Sequence, residues 1–342
     1  MIKVAIAGAD TPRAGELIRI LAGHPDVVLE CAQATGLEGL PVASHHHGLI
    51  GETSLNFSKS IDLRRSDVLF ICGAVPTNAQ LAEYRVMHPG LKIIIFPGEG
   101  SQAEESVETI ATVPFSDNDE ESRDSLEMEQ IKEELEEESV VVYGLPEINR
   151  KALVRGATTA LLPHPLLSMC LVALYPAGMN MLLSGNPEIH ITAPEDIVAG
   201  TDTTALASEL ESRLRDIQKG FAGSVKITTD VSSTRRTGLM SLTLDCGINL
   251  DHILRIYEIY DDHHFAFPLI HRVGVSEVAG TNKCVISIEK PEPGKLRLGA
   301  AADIRLRGGA GEAVHVMNLM FGLHEKTGLA LKAIDFYPIN AD

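Results

Sequence analysis

The stretch KVAIAGADTPRAGELIRILAGHPDVVL, Lys3 to Leu29, decides the fold. It opens on an apolar run, passes through Gly8 and enters a helical pattern from about Pro12 to Gly23. A second apolar run, VVLECA, follows at once. Three more, DVLFIC, KIIIF and SVVVY, recur within the first 150 residues, each 5 or 6 residues long. Strands buried on both faces of a parallel sheet read as continuous apolar runs, because neither side meets water. The alternation predicts a Rossmann-like, doubly wound parallel sheet with helices on both faces, an α/β architecture suited to nucleotides.

The pattern changes after Pro163. A helix is expected through Leu166 to Leu174, stopping near Pro176-Ala177-Gly178. Glu188 to Thr192, VKITTDV, LMSLTLDC and KCVISIEK read as strands, with helices over Thr203 to Lys219 and Asp251 to Tyr260. Strands with helices segregated from them predict an α+β domain with a mostly antiparallel sheet. A chain of 342 residues exceeds what one core usually fills, so two domains are expected.

Composition excludes several classes. The net charge of -18 repels nucleic acid and anionic membrane surfaces alike. Residues 117–138 carry 12 acids against two bases, a local net of -10, and read as a solvated helix. Met128, Ile131 and Leu135 there are spaced to dock one face; an acidic interaction surface is the competing reading. No apolar run approaches the roughly 20 residues a membrane helix needs, and Met1 leads straight into a strand with no signal-peptide pattern. Cys31, Cys72, Cys170, Cys246 and Cys284 show no CxxC pairing or metal spacing. They read as reduced, buried thiols, and cytoplasmic localisation follows.

Four further stretches carry a resemblance: HGLIGETSLNF (His47 to Phe57), YGLPEINRKAL (Tyr143 to Leu153), VAGTNKCVISI (Val278 to Ile288) and RLRGGAGEAVHVMNLMFGLHEKTGL (Arg305 to Leu329). Together with Lys3 to Leu29, and in this order, they resemble the N-acetyl-gamma-glutamyl-phosphate reductases of the aspartate-semialdehyde dehydrogenase superfamily. The resemblance implies a dinucleotide-binding domain over 1–155 and a substrate and dimerisation domain over 156–311. It also implies a C-terminal segment, 312–342, whose helix Ala313 to Leu323 returns to the first domain. NADP or NAD, a small-molecule ligand and a homo-oligomer are the implied partners.

The family's phosphate loop is spaced Gly-x-x-Gly-x-x-Gly. Gly8 matches, whereas Thr11 and Ala14 take the second and third places. Thr11 puts a β-branched side chain where a positive φ is expected and phosphate oxygens come close, so weakened binding is expected. Pro12 suits the first turn of the helix, so its anion-attracting N-terminus survives. Gly8, Asp10, Thr11, Pro12 and Arg13 are the loop's cofactor candidates; Gly308, Gly309, Ala310 and Gly311 are those on the nicotinamide side. Ala32-Gln33-Ala34-Thr35, beyond the second strand, has neither an acid for a ribose diol nor an arginine for a 2′-phosphate.

In the family reaction a cysteine thiolate displaces phosphate from an acyl phosphate, NADPH reduces the thioester and a histidine moves protons. The resemblance places His164 on the family's glycine, Pro165 on the cysteine and Ser168 on the threonine. Pro165 is equally what a helix's first turn favours. Cys170 lies five residues on, about 7.5 Å and about 140° round a helix; it is either a relocated nucleophile or a small buried hydrophobe. Thr204 and Leu206 stand where relatives carry two histidines, with Glu209 as the remnant, and the substrate loop is replaced near Ala193-Pro194-Glu195-Asp196. Arg236 matches an arginine that helps hold the anionic substrate.

His45-His46-His47 reads as a surface loop, because consecutive side chains diverge, and no metal is expected. His263-His264 reads as exposed turn sequence, and His164 as a candidate acid/base. Three functions compete. One is a degenerate homologue that binds a metabolite or partners an active subunit. The second is an NAD(P)-dependent oxidoreductase with His164 as proton donor, and the third is the old reaction through Cys170.

Overall fold

Val4, Ala5 and Ile6 are fully buried in the first strand, β1 (Ile2–Ala7), which pairs in parallel on both edges. The computed structural model describes residues 1–97 and 141–334. The acidic run 117–138 lies outside the described residues. Around β1 lie β2 (Val27–Gln33), β3 (Phe57–Ser58), β4 (Val68–Ile71), β5 (Lys92–Ile95), β6 (Val141–Tyr143) and β7 (Thr159–Leu161). Their order is β3-β2-β1-β4-β5-β7-β6, with every pairing parallel. The order reverses between β1 and β4, and a ligand crevice is expected beyond the carboxyl ends of those strands.

Helices α1 (Pro12–Ala22), α2 (Val42–His45), α3 (Asn78–Met87) and α4 (Pro146–Val154) connect these strands. Leu17, Ile18 and Leu21 of α1 are buried, each contributing about 1.5–3 kcal/mol of apolar burial. Gly23 caps the helix, as its sequence suggests.

The second sheet contains β8 (Glu188–Pro194), β9 (Lys226–Ser232), β10 (Thr237–Asp245), β11 (Ala266–Leu269), β12 (Cys284–Glu289) and β13 (Lys295–Asp303), in the order β11-β12-β13-β10-β8-β9. Three of its five junctions are antiparallel, and β11/β12 and β8/β9 are parallel. Helices α5 (Pro165–Met179), α6 (Glu195–Ala199), α7 (Thr203–Ile217) and α8 (Leu250–Tyr257) accompany it. The last helix, α9 (Ala310–Met320), packs on α1 and α4. Its Val314, Val316 and Met317 share a core with Val4, Leu17 and Ile18.

α9 begins and ends three residues before the expected Ala313 and Leu323. α5 ends at Met179, beside the expected stop near Gly178, but carries Pro176 inside its last turn. Proline supplies no N–H to the carbonyl four residues back, which is that of Val172. The Tyr260 hydroxyl donates to Val172 O at 2.7 Å, and Tyr257 donates to Ala173 O at 2.7 Å. Two tyrosines from a distant segment thus satisfy the carbonyls of this stretch.

Candidate functional site

The loop after β1 sits at the topological switch. Gly8 has φ +68, and a Cβ there would lie 2.7 Å from Gly73 N, so only glycine fits. Thr11 is not strained: its φ is -72, contrary to the positive value expected from the family spacing. It is instead the N-cap of α1, its Oγ1 accepting from Ala14 N at 3.4 Å and donating to Gly8 O at 2.9 Å. The cost to anion binding is therefore occupancy. Pro12 has no N–H, Ala14 N–H goes to Thr11 Oγ1, and Gly15 N–H goes to Thr11 O. Arg13 crosses the strand ends, donating to Pro97 O at 2.5 Å.

His45 and His47 are exposed, as expected of a surface segment, but the side chains do not all diverge. α2 ends at His45 and the chain turns at His46 (φ -96, ψ 82), and the rings of His45 and His46 both meet the loop after β1. His45 Nε2 bonds Asp10 O at 2.9 Å and His46 Nε2 bonds Ala9 O at 2.7 Å. His47 bonds only its own turn, at Ser44 O. No group of three His, Cys, Asp or Glu side chains among the described residues is placed to hold a metal. His263 and His264 are half-buried, not exposed, packing on Tyr260 and His324.

α5 begins with His164 as N-cap, its Nδ1 accepting from Leu166 N at 3.3 Å, and Pro165 as first residue. Gly308 presses on it: a Cβ at Gly308 would lie 2.4 Å from Pro165 Cα, and its φ is +69. Gly308 thus lies against Pro165, Gly309 lies against Arg305 and Gly311 against Asn282, with Ala310 and Gly311 opening α9. Ser168, one turn into α5, donates to Glu312 Oε2 at 2.8 Å, and Gly308 N–H donates to the same oxygen at 2.5 Å.

Behind this contact is a buried charge cluster that sequence reasoning missed. Arg307 donates to Glu147 Oε1 at 2.8 Å through Nη1 and to Glu147 Oε2 through Nη2. Glu312 Oε1 lies 3.7 Å from the same guanidinium, and all three side chains are solvent-excluded. Two carboxyls share one cation, so they part ways. Burial raises the Glu147 carboxyl, but Arg307 outweighs this and holds it well below the usual range. Burial dominates at Glu312 and raises it despite Arg307.

A raised folded-state pKa gives stability at low pH that is lost as pH rises through it, and a lowered one gives stability lost as pH falls. Glu312→Gln mimics the protonated carboxyl. The variant is expected to gain stability relative to the parent in urea melts as pH rises above the usual carboxylate range. Parallel pH dependences in the two proteins would show that Glu312 does not titrate there.

The remaining candidates are dispersed or committed. Arg236 donates to Asp303 Oδ2 at 2.9 Å and to Glu16 of α1, so two of its nitrogens tie the second sheet to the first domain. Arg305 and Asp196 pair at 2.5 Å. Thr204 is exposed in the first turn of α7 and Leu206 is buried. Glu209 accepts from the Tyr143 hydroxyl at 3.2 Å, and burial raises its carboxyl. Cys170 is fully buried, as are Cys72 and Cys284; burial drives the Cys170 and Cys72 thiols far up and Cys284 to about 12.

The chain is similar to the N-acetyl-gamma-glutamyl-phosphate reductase of Azobacteroides pseudotrichonymphae, with 31% identity over 355 residues covering 98% of this chain and 100% of the relative. The protein of that name from Parabacteroides distasonis is 29% identical over 358 residues, covering 98% and 100%. No family model matches the chain. Among solved structures, a probable aspartate-semialdehyde dehydrogenase from Pseudomonas aeruginosa superposes with a TM-score of 0.60 at 15% identity, covering 94% of this chain and 98% of that one. The Candida albicans aspartate semialdehyde dehydrogenase solved with NADP gives 0.60 at 10% identity, with the same coverage. At such identities these structures bear on the fold alone.

Proposed function

The chain belongs to the N-acetyl-gamma-glutamyl-phosphate reductase family, and we propose that it is a member that binds a nucleotide in the crevice but performs no thioester chemistry. The observation that carries this reading is Pro165 at the first position of α5. Its nitrogen is an amide closed into the backbone, with no free electron pair for an acyl carbon. No thiol takes over, since Cys170 is buried and held protonated and a thiol must ionise to attack. Thr204 and Leu206 supply no proton transfer.

A nicotinamide dinucleotide is the ligand this reading assigns, and it would supply hydride chemistry when bound. Gly8, Asp10 and the start of α1 would receive its phosphates, and Gly308 to Gly311 would flank its nicotinamide. Thr11 reduces the donors on the phosphate side, so binding is weaker than in a catalytic relative. Titrating the protein into NADPH and, separately, NADH while following reduced-nicotinamide fluorescence tests this. Saturable binding supports the reading, and no saturation with either would sink it.

His164 favours a second reading, reduction of a carbonyl without a covalent intermediate. Its Nδ1 accepts from Leu166 N–H, which leaves the proton of the neutral ring on Nε2. NADPH-dependent aldehyde reduction that disappears in His164→Asn would support it.

A further inference from the structure

We propose that His45 and His46 are positioning residues that shape the phosphate loop for a bound nucleotide, an inference that rests on the nucleotide reading above. The two rings approach consecutive carbonyls of one loop, Ala9 O at 2.7 Å from His46 and Asp10 O at 2.9 Å from His45. A carbonyl only accepts, so each Nε2 carries a hydrogen. Peptide planes are flat and trans, with each N–H opposed to the preceding C=O. Holding the carbonyls of Ala9 and Asp10 toward the histidines therefore turns the amides of Asp10 and Thr11 the other way. The Thr11 N–H closes on Gly8 O at 3.2 Å, which leaves the Asp10 N–H as the donor this geometry aims away from the rings. That single N–H, aimed out of the turn, is the donor the loop offers to an anion.

The histidines are themselves held. Their rings meet edge to face, with centroids 4.8 Å apart, and both pack on Phe57 at 5.9 and 6.3 Å. Gly15 makes room for His46: a Cβ there would lie 2.7 Å from His46 Nδ1. The family's third loop glycine is Ala14 in this chain, and the glycine one place later is where the imidazole comes in.

The test uses the full-length protein and its NADPH dissociation constant by fluorescence. Replacing both histidines (His45→Ala with His46→Ala) should weaken binding about tenfold or more, the scale of one or two lost loop hydrogen bonds. The matching glutamines (His45→Gln with His46→Gln) place an N–H near Nε2 and should recover most of that loss. Gly15→Ala separates positioning from folding. Alanine suits a helix better than glycine, which offsets part of the cost of moving the His46 ring, so the protein should stay folded with at most a modest fall in melting temperature, yet displacing His46 should weaken NADPH binding severalfold. Alanine or Gly15→Ala variants that bind like the parent would overturn the inference, as would glutamines no better than alanines. A parent that binds neither NADPH nor NADH would instead bring down the nucleotide reading itself.

Discussion

Replacing Arg307 with methionine should cost about 3–5 kcal/mol, the usual loss when one partner of a buried ion pair is removed. That is a large share of the roughly 5–15 kcal/mol that stabilises most folded proteins. Arg307 is fully buried, donates twice to Glu147 and is the only cation placed against Glu312 among the described residues. Methionine fills similar volume but leaves two carboxyls to take up protons in an apolar site. The variant should therefore melt lower at about neutral pH and regain part of the loss at about pH 5, where protonation is easier. Adding Glu147→Leu and Glu312→Gln should restore much of the stability, because a packed apolar replacement of a buried pair is often near neutral. Equal stability of Arg307→Met and the parent in urea melts would mean that water reaches the cluster.

Gly308→Ala should be comparably damaging. Its φ of +69 penalises any side chain, by about 1–2 kcal/mol. The new Cβ would also lie 2.4 Å from Pro165 Cα, and relieving that backbone contact means moving the start of α5 away from α9. Overpacking of this kind adds about 1–3 kcal/mol, for a total of about 2–5 kcal/mol. Gly36→Ala is the control. Its φ is +82, yet nothing lies within 4 Å of the added Cβ, so it should show the backbone penalty alone. Equal losses from the two variants would argue that α5 and α9 are not pressed together at Pro165.

What was legible in the sequence follows from how locally each feature is determined. The parallel sheet was readable because a stretch with both faces buried must be apolar, as Val4 to Ile6 and Ile93 to Ile95 are. The helix start at Pro12 and the stop at Gly23 were readable from the chain's own residues, whereas Thr11, read as strained, is the cap. The passage of α5 through Pro176 was not, since Tyr257 and Tyr260 lie more than 80 residues away. Arg236 shows the same limit. The family resemblance gave it an anion to hold, whereas Glu16 and Asp303, 220 and 67 residues distant, already occupy two of its nitrogens. Consecutive histidines were expected to diverge, and the turn at His46 brings two of them to one loop. Glu147 and Arg307 sat within quoted motifs, but no local pattern joins residues 160 apart.

The central claim, a conserved fold whose thioester chemistry is gone, is tested most directly by NADPH oxidation with N-acetyl-gamma-glutamyl phosphate, the substrate in the relatives' name. The measurement compares the parent with Cys170→Ser. The account predicts no turnover above the rate without protein in either, because Pro165 offers no nucleophile and the buried Cys170 thiol stays protonated. Robust turnover in the parent that vanishes in Cys170→Ser would contradict it and make Cys170 the nucleophile.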